Sequence, residues 1–274
     1  MTRGVTFRAW DERWASTRYR ALIPQAELER VGIQQGRDVL VIGKHKWNWD
    51  TETAGYKRVV YDVCDSHWHD DWRDEVVGNC QRADAVTCNS RAMAAEIKEH
   101  TGRDAWVIPD PYESPQGEPR VHDKLLWFGF HWNAEALMPW LERLIGRDIT
   151  LVTDVEHECE LRPGMRAVPW SPANMRDQFQ RAGLVILPTD YRPTAKSGNR
   201  AIESIRSGLY PICGPLPAYA DLGVWIGDIA EGVDWALSRP DEAVQRIRAA
   251  QQYIATEYAP HVVARRWIDM LAHL

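Results

Sequence analysis

Short apolar runs rich in Val and Ile recur along the chain, each followed by a helical stretch, and the pattern halts at a cluster of prolines and then restarts. Runs of four to eight such residues read as strands covered on both faces, which is how parallel sheets are built. Before the prolines, strands are expected at 4–10, 38–42 (ending at Gly43), 58–63, 83–87 and 105–108. Helices are expected at 20–31 and from a Ser90 cap to about His100. Pro109, Pro111, Pro115 and Pro119, with Gly117, mark a linker. Beyond it the spacing predicts strands at 124–128, 149–153, 184–187 and 210–213, with helices at 134–144, 173–181 and 198–207. Three more helices close the chain at 228–237, 241–258 and 262–274. The expected fold class is α/β, with two facing Rossmann-like domains and a cleft between them. Their bounds are 1–112 and 120–258, with a terminal helix, 259–274, returning to the first domain. A length of 274 residues fits two domains of ordinary size.

Composition narrows the class. Hydrophobic residues make up 45% and charged ones 26%, which excludes disorder, collagen and coiled coil. Mean hydropathy is -0.45, and no apolar run approaches the ~18–20 residues that cross a bilayer. The first residues run straight into Asp11, Glu12 and Arg13 with no apolar signal core, so a cytoplasmic protein without membrane insertion is expected. Net charge is -6, and both halves carry more carboxylates than cations, so neither is a basic nucleic-acid platform. Five cysteines with no CxxC pair read as reduced thiols. The 14 tryptophans read first as packing residues, though sugar-handling clefts also favour aromatic platforms. No GxGxxG follows the first strand, and P-loop, Gly-x-Ser-x-Gly and HExxH motifs are missing, which argues against dinucleotide oxidoreductases, NTPases, α/β-hydrolases and zincins.

The segment 182–222 carries the most chemistry. A strand delivers the chain to an exposed loop, 188–196, after which Ser197 is expected to cap a new helix. The first turn of that helix is an anion site, flanked by Lys196 and Arg200. Glu203 follows Arg200 on the same helical side and can accept two hydroxyl hydrogen bonds, as from a ribose. The layout suits a nucleoside diphosphate. The same residues equally suit a surface helix with an ordinary Ser cap and a solvated charged face.

The run from Lys196 to Ile212 resembles the donor-binding signature of the GT-B glycosyltransferases, specifically the retaining nucleotide-sugar superfamily. In those enzymes a Glu five residues before a Gly, ahead of a Pro-Val-Val strand, holds the nucleotide ribose; Glu203, Gly208 and Pro211-Ile212 match that spacing. The run 84–90, then 107–111, is similar to the end of the family's acceptor domain and its linker. Residues 124–129 resemble the first strand and glycine turn of the donor domain, and 16–28 the first loop and helix of the acceptor domain. The resemblance implies donor binding by Gly129, His131, Lys196, Ser197, Asn199, Arg200 and Glu203, with Arg200 stabilising the departing diphosphate. It implies an Asp-x-x-Asp pair at Asp62 and Asp65, and an acceptor side that includes Ser16 and Arg18. Asp65 or His67 would orient or deprotonate the acceptor hydroxyl; a solvated acidic helix start is the plainer reading of the same segment.

Two departures stand out. The family's first glutamate falls on Ala195, and no Arg or Lys follows the turn at Gly129, so Lys196 and Arg200, with Arg18 from across the cleft, must supply the positive charge. The reaction implied is hexosyl or pentosyl transfer from a nucleotide-diphosphate sugar, without metal or further cofactor. Cys64, His67 and His69 lie close together but lack the long-range partner ligands of a zinc site. His157, Cys159 and their acidic neighbours Glu156, Glu158 and Glu160 are given no role. A saccharide or small-molecule acceptor is expected first. Hydroxymethylated DNA, as for bacteriophage enzymes, is the runner-up through a strip of Arg3, Arg8, Arg13, Arg18 and Arg20 interleaved with Trp10, Trp14 and Tyr19. A nucleotide-sugar epimerase or a non-catalytic nucleotide-sugar binder would also fit these residues.

Overall fold

A computed structural model describes residues 4–43, 48–154, 161–189 and 195–274. Contacts divide the chain into two compact units: Met1–Glu113 with Pro193–Ser197 and Thr256–Leu274, and Ser114–Arg192 with Gly198–Ala255.

The first unit is built on a five-stranded sheet, β1 (Val5–Phe7), β2 (Val39–Gly43), β3 (Arg58–Val63), β4 (Ala85–Cys88) and β5 (Trp106–Val107), in that spatial order and parallel throughout. Period-two geometry sends alternate residues to opposite faces. Val39, Val41 and Val60 pack with Leu28 of α2 (Ile23–Arg30) and with Val263, Trp267 and Met270 of the closing helix 260–272. Leu40, Ile42, Val59 and Tyr61 face the helices 73–82 and 91–101 through Val76, Cys80, Met93 and Ile97.

Ahead of α2, α1 (Ala15–Thr17) runs into a π-helical turn, Arg18–Leu22, where the N–H of Ile23 reaches back to the Arg18 carbonyl. Pro24 explains the turn. It has no N–H to give the Arg20 carbonyl and its ring crowds that oxygen, so the helix widens locally. Two further helices follow, α3 (Trp49–Thr53) and α4 (Arg73–Arg82), then α5 (Arg91–Thr101), whose Ser90 cap accepts from the Met93 N–H as the sequence indicates.

The second unit holds β6 (Lys124–Phe128), β7 (Asp148–Thr153), β8 (Met165–Pro169), β9 (Leu184–Leu187), β10 (Tyr210–Cys213) and β11 (Trp225–Ile226). All are parallel, in the spatial order β11-β10-β9-β6-β7-β8. The helix expected at 134–144 is instead broken into a 3-10 turn (His131–Ala136), α6 (Met138–Leu141) and a second turn (Glu142–Leu144). Pro139 cannot donate to the preceding turn, so a new helix starts there. One face of the sheet packs Leu125, Trp127, Ile149 and Ile186 against Val233 of α9 (Ile229–Ser238) and Ile247 of α10 (Pro240–Glu257). Between these, α7 (Pro172–Arg181) contacts β6 and β7, and α8 (Asn199–Arg206) contacts β9 and β10. Helix α11 (Pro260–Ala272) ends the chain.

Candidate functional site

In the second unit the chain leaves β6 in one direction, to β7, and returns to its other side as β9. The reversal between β6 and β9 is a topological switch point, and open α/β sheets bind ligands at the carboxyl ends of such a pair. Gly129 follows β6, and α8 is the helix that comes after β9. Arg200, in the first turn of α8, reaches the end of β6: its Nη1 donates to the Phe128 carbonyl at 3.3 Å. A Cβ on Gly129 would stand 3.3 Å from that nitrogen and 3.3 Å from the Trp127 ring, so glycine leaves the room the guanidinium occupies.

The buried Tyr219 phenol is also hydrogen-bonded to Arg200. Burial pushes the Tyr219 pKa up, while Arg200 acts against that rise. Among the described residues no carboxylate pairs with Arg200, a half-buried cation at the switch point.

Ser197, expected to cap α8, does not. The cap position is Gly198, which makes no side-chain bond, and the Ser197 hydroxyl is hydrogen-bonded to Asp110. Gly198 tolerates the position because it has no side chain to misplace. The residues 195–197 group with the first unit: Ala195 has no exposed surface and packs in the core with Leu40, Ile42 and Tyr61. An apolar core residue therefore stands where the resembling family has its first glutamate. Lys196 is half-buried.

Glu203 is buried on α8, and its Oε2 accepts the Ser114 N–H at 3.0 Å. A carboxylate offers about four lone-pair sites, so that bond occupies one part of it. Five residues on, Gly208 ends the helix with φ +81, and a Cβ there would lie 2.2 Å from the Glu118 carbonyl. The Glu-to-Gly spacing thus has a local cause: one turn and a half of helix and a left-handed stop. Asn199 opens α8.

His131 donates its backbone N–H to Asp154 Oδ1 at 2.8 Å, and its Nδ1 lies 2.9 Å from Oδ2. Burial works against ionisation of Asp154, but the His131 bonds prevail and hold it below the usual carboxylate range. Asp154, Tyr219 and Ser114 escaped the sequence reading. Asp154 was detectable, since it directly follows a strand at the ligand-binding end of the sheet.

In the first unit Arg20 is the hub. Its guanidinium, 3% exposed, takes Asp62 through two bonds of 2.9 and 2.6 Å, Asp110 at 3.2 Å and the Ile108 carbonyl, and lies over the Trp267 ring. Burial favours the neutral form, yet Asp62 and Asp110 raise the Arg20 pKa above normal. Asp62 also accepts from Thr87 at 2.6 Å. Its place is inside the unit, holding β3 and β4 to the first helix. Asp65, just past β3, is half-buried and 3.9 Å from the Cys64 thiol. His67 stacks on Trp72 and its Nδ1 is 2.7 Å from Asp70. Asp62, Cys64, Asp65, His67 and Trp72 line one shallow hollow.

Ser16 is half-buried on α1. Arg18 is bound to both oxygens of Glu113 at 2.7 and 2.8 Å and to the Glu12 and Arg13 carbonyls. Arg8 pairs with Glu52, and Arg13 with Asp11. Arg3 lies outside the described residues, as do Glu156, His157, Glu158, Cys159, Glu160 and part of the 188–196 loop. Every described arginine of the N-terminal strip is thus neutralised by a carboxylate of its own unit. Cys64, Cys80, Cys88 and Cys213 are free thiols. Burial pushes Cys80 and Cys88 up to about 12, so both stay protonated. Among the described residues no helix is long and apolar enough to cross a membrane.

The two parallel α/β sheets have the GT-B glycosyltransferase fold. HepE of Anabaena, in complex with UDP-glucose, matches with a TM-score of 0.76 at 13% identity over 98% of this chain and 99% of that one. BGT of phage T4, in complex with UDP and Mn2+, gives 0.62 at 8% identity over 99% of each chain. The trehalose-6-phosphate synthase OtsA gives 0.65 at 10% identity over 97% of this chain and 78% of that one. At such identities the likeness is one of fold. No family model matches the sequence, and no curated protein matches it significantly.

Proposed function

We propose that the chain is a glycosyltransferase that moves a sugar from a nucleotide-diphosphate sugar to an acceptor hydroxyl. Arg200 carries this reading: a cation without a described carboxylate partner, fixed at the switch point beside a glycine turn and in the first turn of a helix. In the transfer the bond between the anomeric carbon and the diphosphate oxygen breaks, and its electron pair leaves with the diphosphate. Arg200, Lys196 and the amino end of α8 stabilise that growing charge, which is where such a site lowers the barrier most. The same charges take the part a metal ion would otherwise play, so turnover should survive a chelator. Glu203 takes ribose hydroxyls, with Gly129, His131, Ser197 and Asn199 completing the donor set. The acceptor proton passes to Asp65 or His67.

Solved structures of the same fold that hold UDP-glucose or UDP support a nucleotide-sugar donor. Ion pairing of Arg8, Arg13, Arg18 and Arg20 removes the strip on which a DNA acceptor would rely, and favours a saccharide or small molecule. Mass spectrometry of the protein with a donor panel and an acceptor panel that includes hydroxymethylated DNA tests the reading. Mass gain on saccharides is expected. Sugar isomerised without any acceptor would indicate an epimerase, and donor binding with neither transfer nor hydrolysis a non-catalytic binder.

A further inference from the structure

The turn after β6 reads Gly129-Phe130-His131-Trp132-Asn133-Ala134-Glu135 and holds no lysine or arginine. A nucleotide-sugar diphosphate carries a negative charge on each phosphate, and Arg200, beside Gly129, is a single positive one. Arg18, expected to add to it, is paired with Glu113 instead. The group in this turn able to bring a further positive charge is His131. Its Cα lies two residues past that of Gly129, at most about 7 Å away along the chain, and its side chain is 34% exposed.

One carboxylate holds His131 at two points. Asp154, the residue after β7, accepts the His131 backbone N–H on Oδ1 at 2.8 Å and stands 2.9 Å from Nδ1 on Oδ2. The Thr153 hydroxyl also donates to Oδ1, at 3.1 Å. All of these residues belong to the second unit. An ionised carboxylate only accepts, so Nδ1 carries a hydrogen in either state of the ring. The ring is then neutral with a lone pair on Nε2, or charged with an N–H on both nitrogens.

A diphosphate discriminates between these two forms. Its oxygens are repelled by a lone pair on Nε2 and by the Asp154 charge behind it. They are attracted when a proton on Nε2 makes the ring cationic and offsets Asp154. Asp154 itself stays ionised, because its bonds from His131 hold it below the usual carboxylate range. The other charged residues on the elements that meet here are Glu135, on the same turn, and Arg200 of α8, one of each sign. Helix α6, which packs on the turn, carries no charge.

We propose that His131 and Asp154 form a proton-linked clamp on the donor diphosphate: His131 takes up a proton as the nucleotide sugar binds and donates Nε2–H to a phosphate oxygen, while Asp154 positions the ring and balances its charge. The inference rests on the glycosyltransferase reading and deepens it by making donor binding pH-dependent. The proton comes from solvent and returns to it when the nucleoside diphosphate leaves, so the pair makes and breaks no bond of the sugar. Donor affinity falls as pH rises, because the proton becomes harder to supply.

Calorimetry on the whole chain tests this with UDP-glucose, whose diphosphate has no proton to exchange near neutrality. Binding is measured from about pH 6 to 8, where histidines change charge, in buffers of different ionisation enthalpy, which report the protons taken up. Uptake of part of a proton is expected, with Kd rising as pH rises. His131→Gln should abolish the uptake, flatten the pH dependence and weaken binding about tenfold at the acid end, the gap closing at the alkaline end. Asp154→Asn removes the charge behind the ring, so uptake should drop by about half or more. No uptake by the parent at any pH, or equal uptake in His131→Gln, overturns the proposal. Asp154→Asn with a lowered melting temperature and parental uptake makes Asp154 a structural residue and overturns its part in the clamp. If UDP-glucose does not bind, the tightest binder of a nucleotide-sugar panel takes its place. A chain that binds none of them defeats the glycosyltransferase reading itself, and this inference with it.

Discussion

The Nη1 nitrogen of Arg200 rests 3.3 Å from the carbonyl oxygen of Phe128, at the point where the next residue lacks a side chain. Gly129 is needed there for space and not for backbone freedom, since its φ is not among the positive ones. Gly129→Ala should therefore fold, helped by the reduced freedom of its unfolded chain, but push the guanidinium aside. UDP should bind about three- to tenfold more weakly by calorimetry. Arg200→Lys keeps the charge and loses the planar fork, and should cost about tenfold or more in Kd, in line with one or two charge-assisted bonds. Parent-like UDP affinity in both would remove Arg200 from the donor site.

Tyr219, 1% exposed, is hydrogen-bonded to Arg200. Tyr219→Phe deletes that bond and keeps the ring, so the arginine gains freedom while its charge stays. Charge placement matters most as the diphosphate departs, so kcat should fall several-fold, and by more than donor KM changes. Equal losses in both, or a lower melting temperature alone, would make Tyr219 a packing residue.

Glu203 has two tasks that substitutions can separate. Glu203→Ala leaves the Ser114 N–H without its acceptor and should lower stability by about 1–3 kcal/mol, besides weakening nucleotide binding roughly tenfold. Glu203→Gln retains an amide oxygen for Ser114 and should keep most of the stability while still losing nucleotide affinity. Urea midpoints paired with UDP titrations make the comparison. Gln binding UDP like the parent would restrict Glu203 to holding the linker.

The strands of both sheets were largely legible because buried parallel strands announce themselves as Val and Ile runs; β3, β6 and β9 match the sequence reading residue for residue. The edge strands β8 and β11 were not. Met165–Pro169 mixes an arginine and a proline into a half-exposed row, and Trp225–Ile226 is two residues long, so neither makes an apolar run. At the site, residue types near α8 were readable but their partners were not. Nothing in the local sequence links Ser197 to Asp110, Arg20 to Asp62 or Arg200 to Tyr219, because each pair joins segments brought together only by the fold. Charge strips mislead for the same reason. Arg8, Arg18 and Arg20 look like a basic surface until their carboxylates arrive from residues 52, 113 and 62, whereas Arg13 pairs with its near neighbour Asp11.

Asp110 gives the first unit a pH signature. Burial pushes its carboxyl above the ordinary 3.8, against the opposing pull of Arg20 and the Ser197 hydroxyl. The folded chain then holds this proton more tightly than the unfolded one. Its contribution to stability is greatest below about pH 3.8, falls as pH climbs through the raised folded value, and is flat above it. In Asp110→Asn that slope is gone. The stability of the parent relative to the variant should decline with rising pH across that window, measured by urea midpoints at a series of pH values. A difference that grows with pH would mean that Arg20 dominates and that Asp110 is held low.

Arg120 shows how much of the second unit depends on one unpaired cation. Its Nε donates to the Ala182 carbonyl at 3.0 Å, its Nη1 to those of Glu118 and Ser207 at 3.2 and 3.3 Å, and its Nη2 to that of Phe179. Ala182 and Ser207 are the carboxyl caps of α7 and α8, where carbonyls lack helical partners and the dipole is negative. Burial lowers the Arg120 pKa, and no carboxylate is paired with it among the described residues, so carbonyl dipoles alone balance its charge. Arg120→Met should therefore cost about 1–3 kcal/mol, several part-buried carbonyls losing their donor at once. Arg120→Lys keeps the charge but cannot span carbonyls lying in several directions, so it should fall between the two. Urea unfolding followed by tryptophan fluorescence gives the order. Parental stability in Arg120→Lys would show that the positive charge at the helix ends is what matters and the planar fork is not.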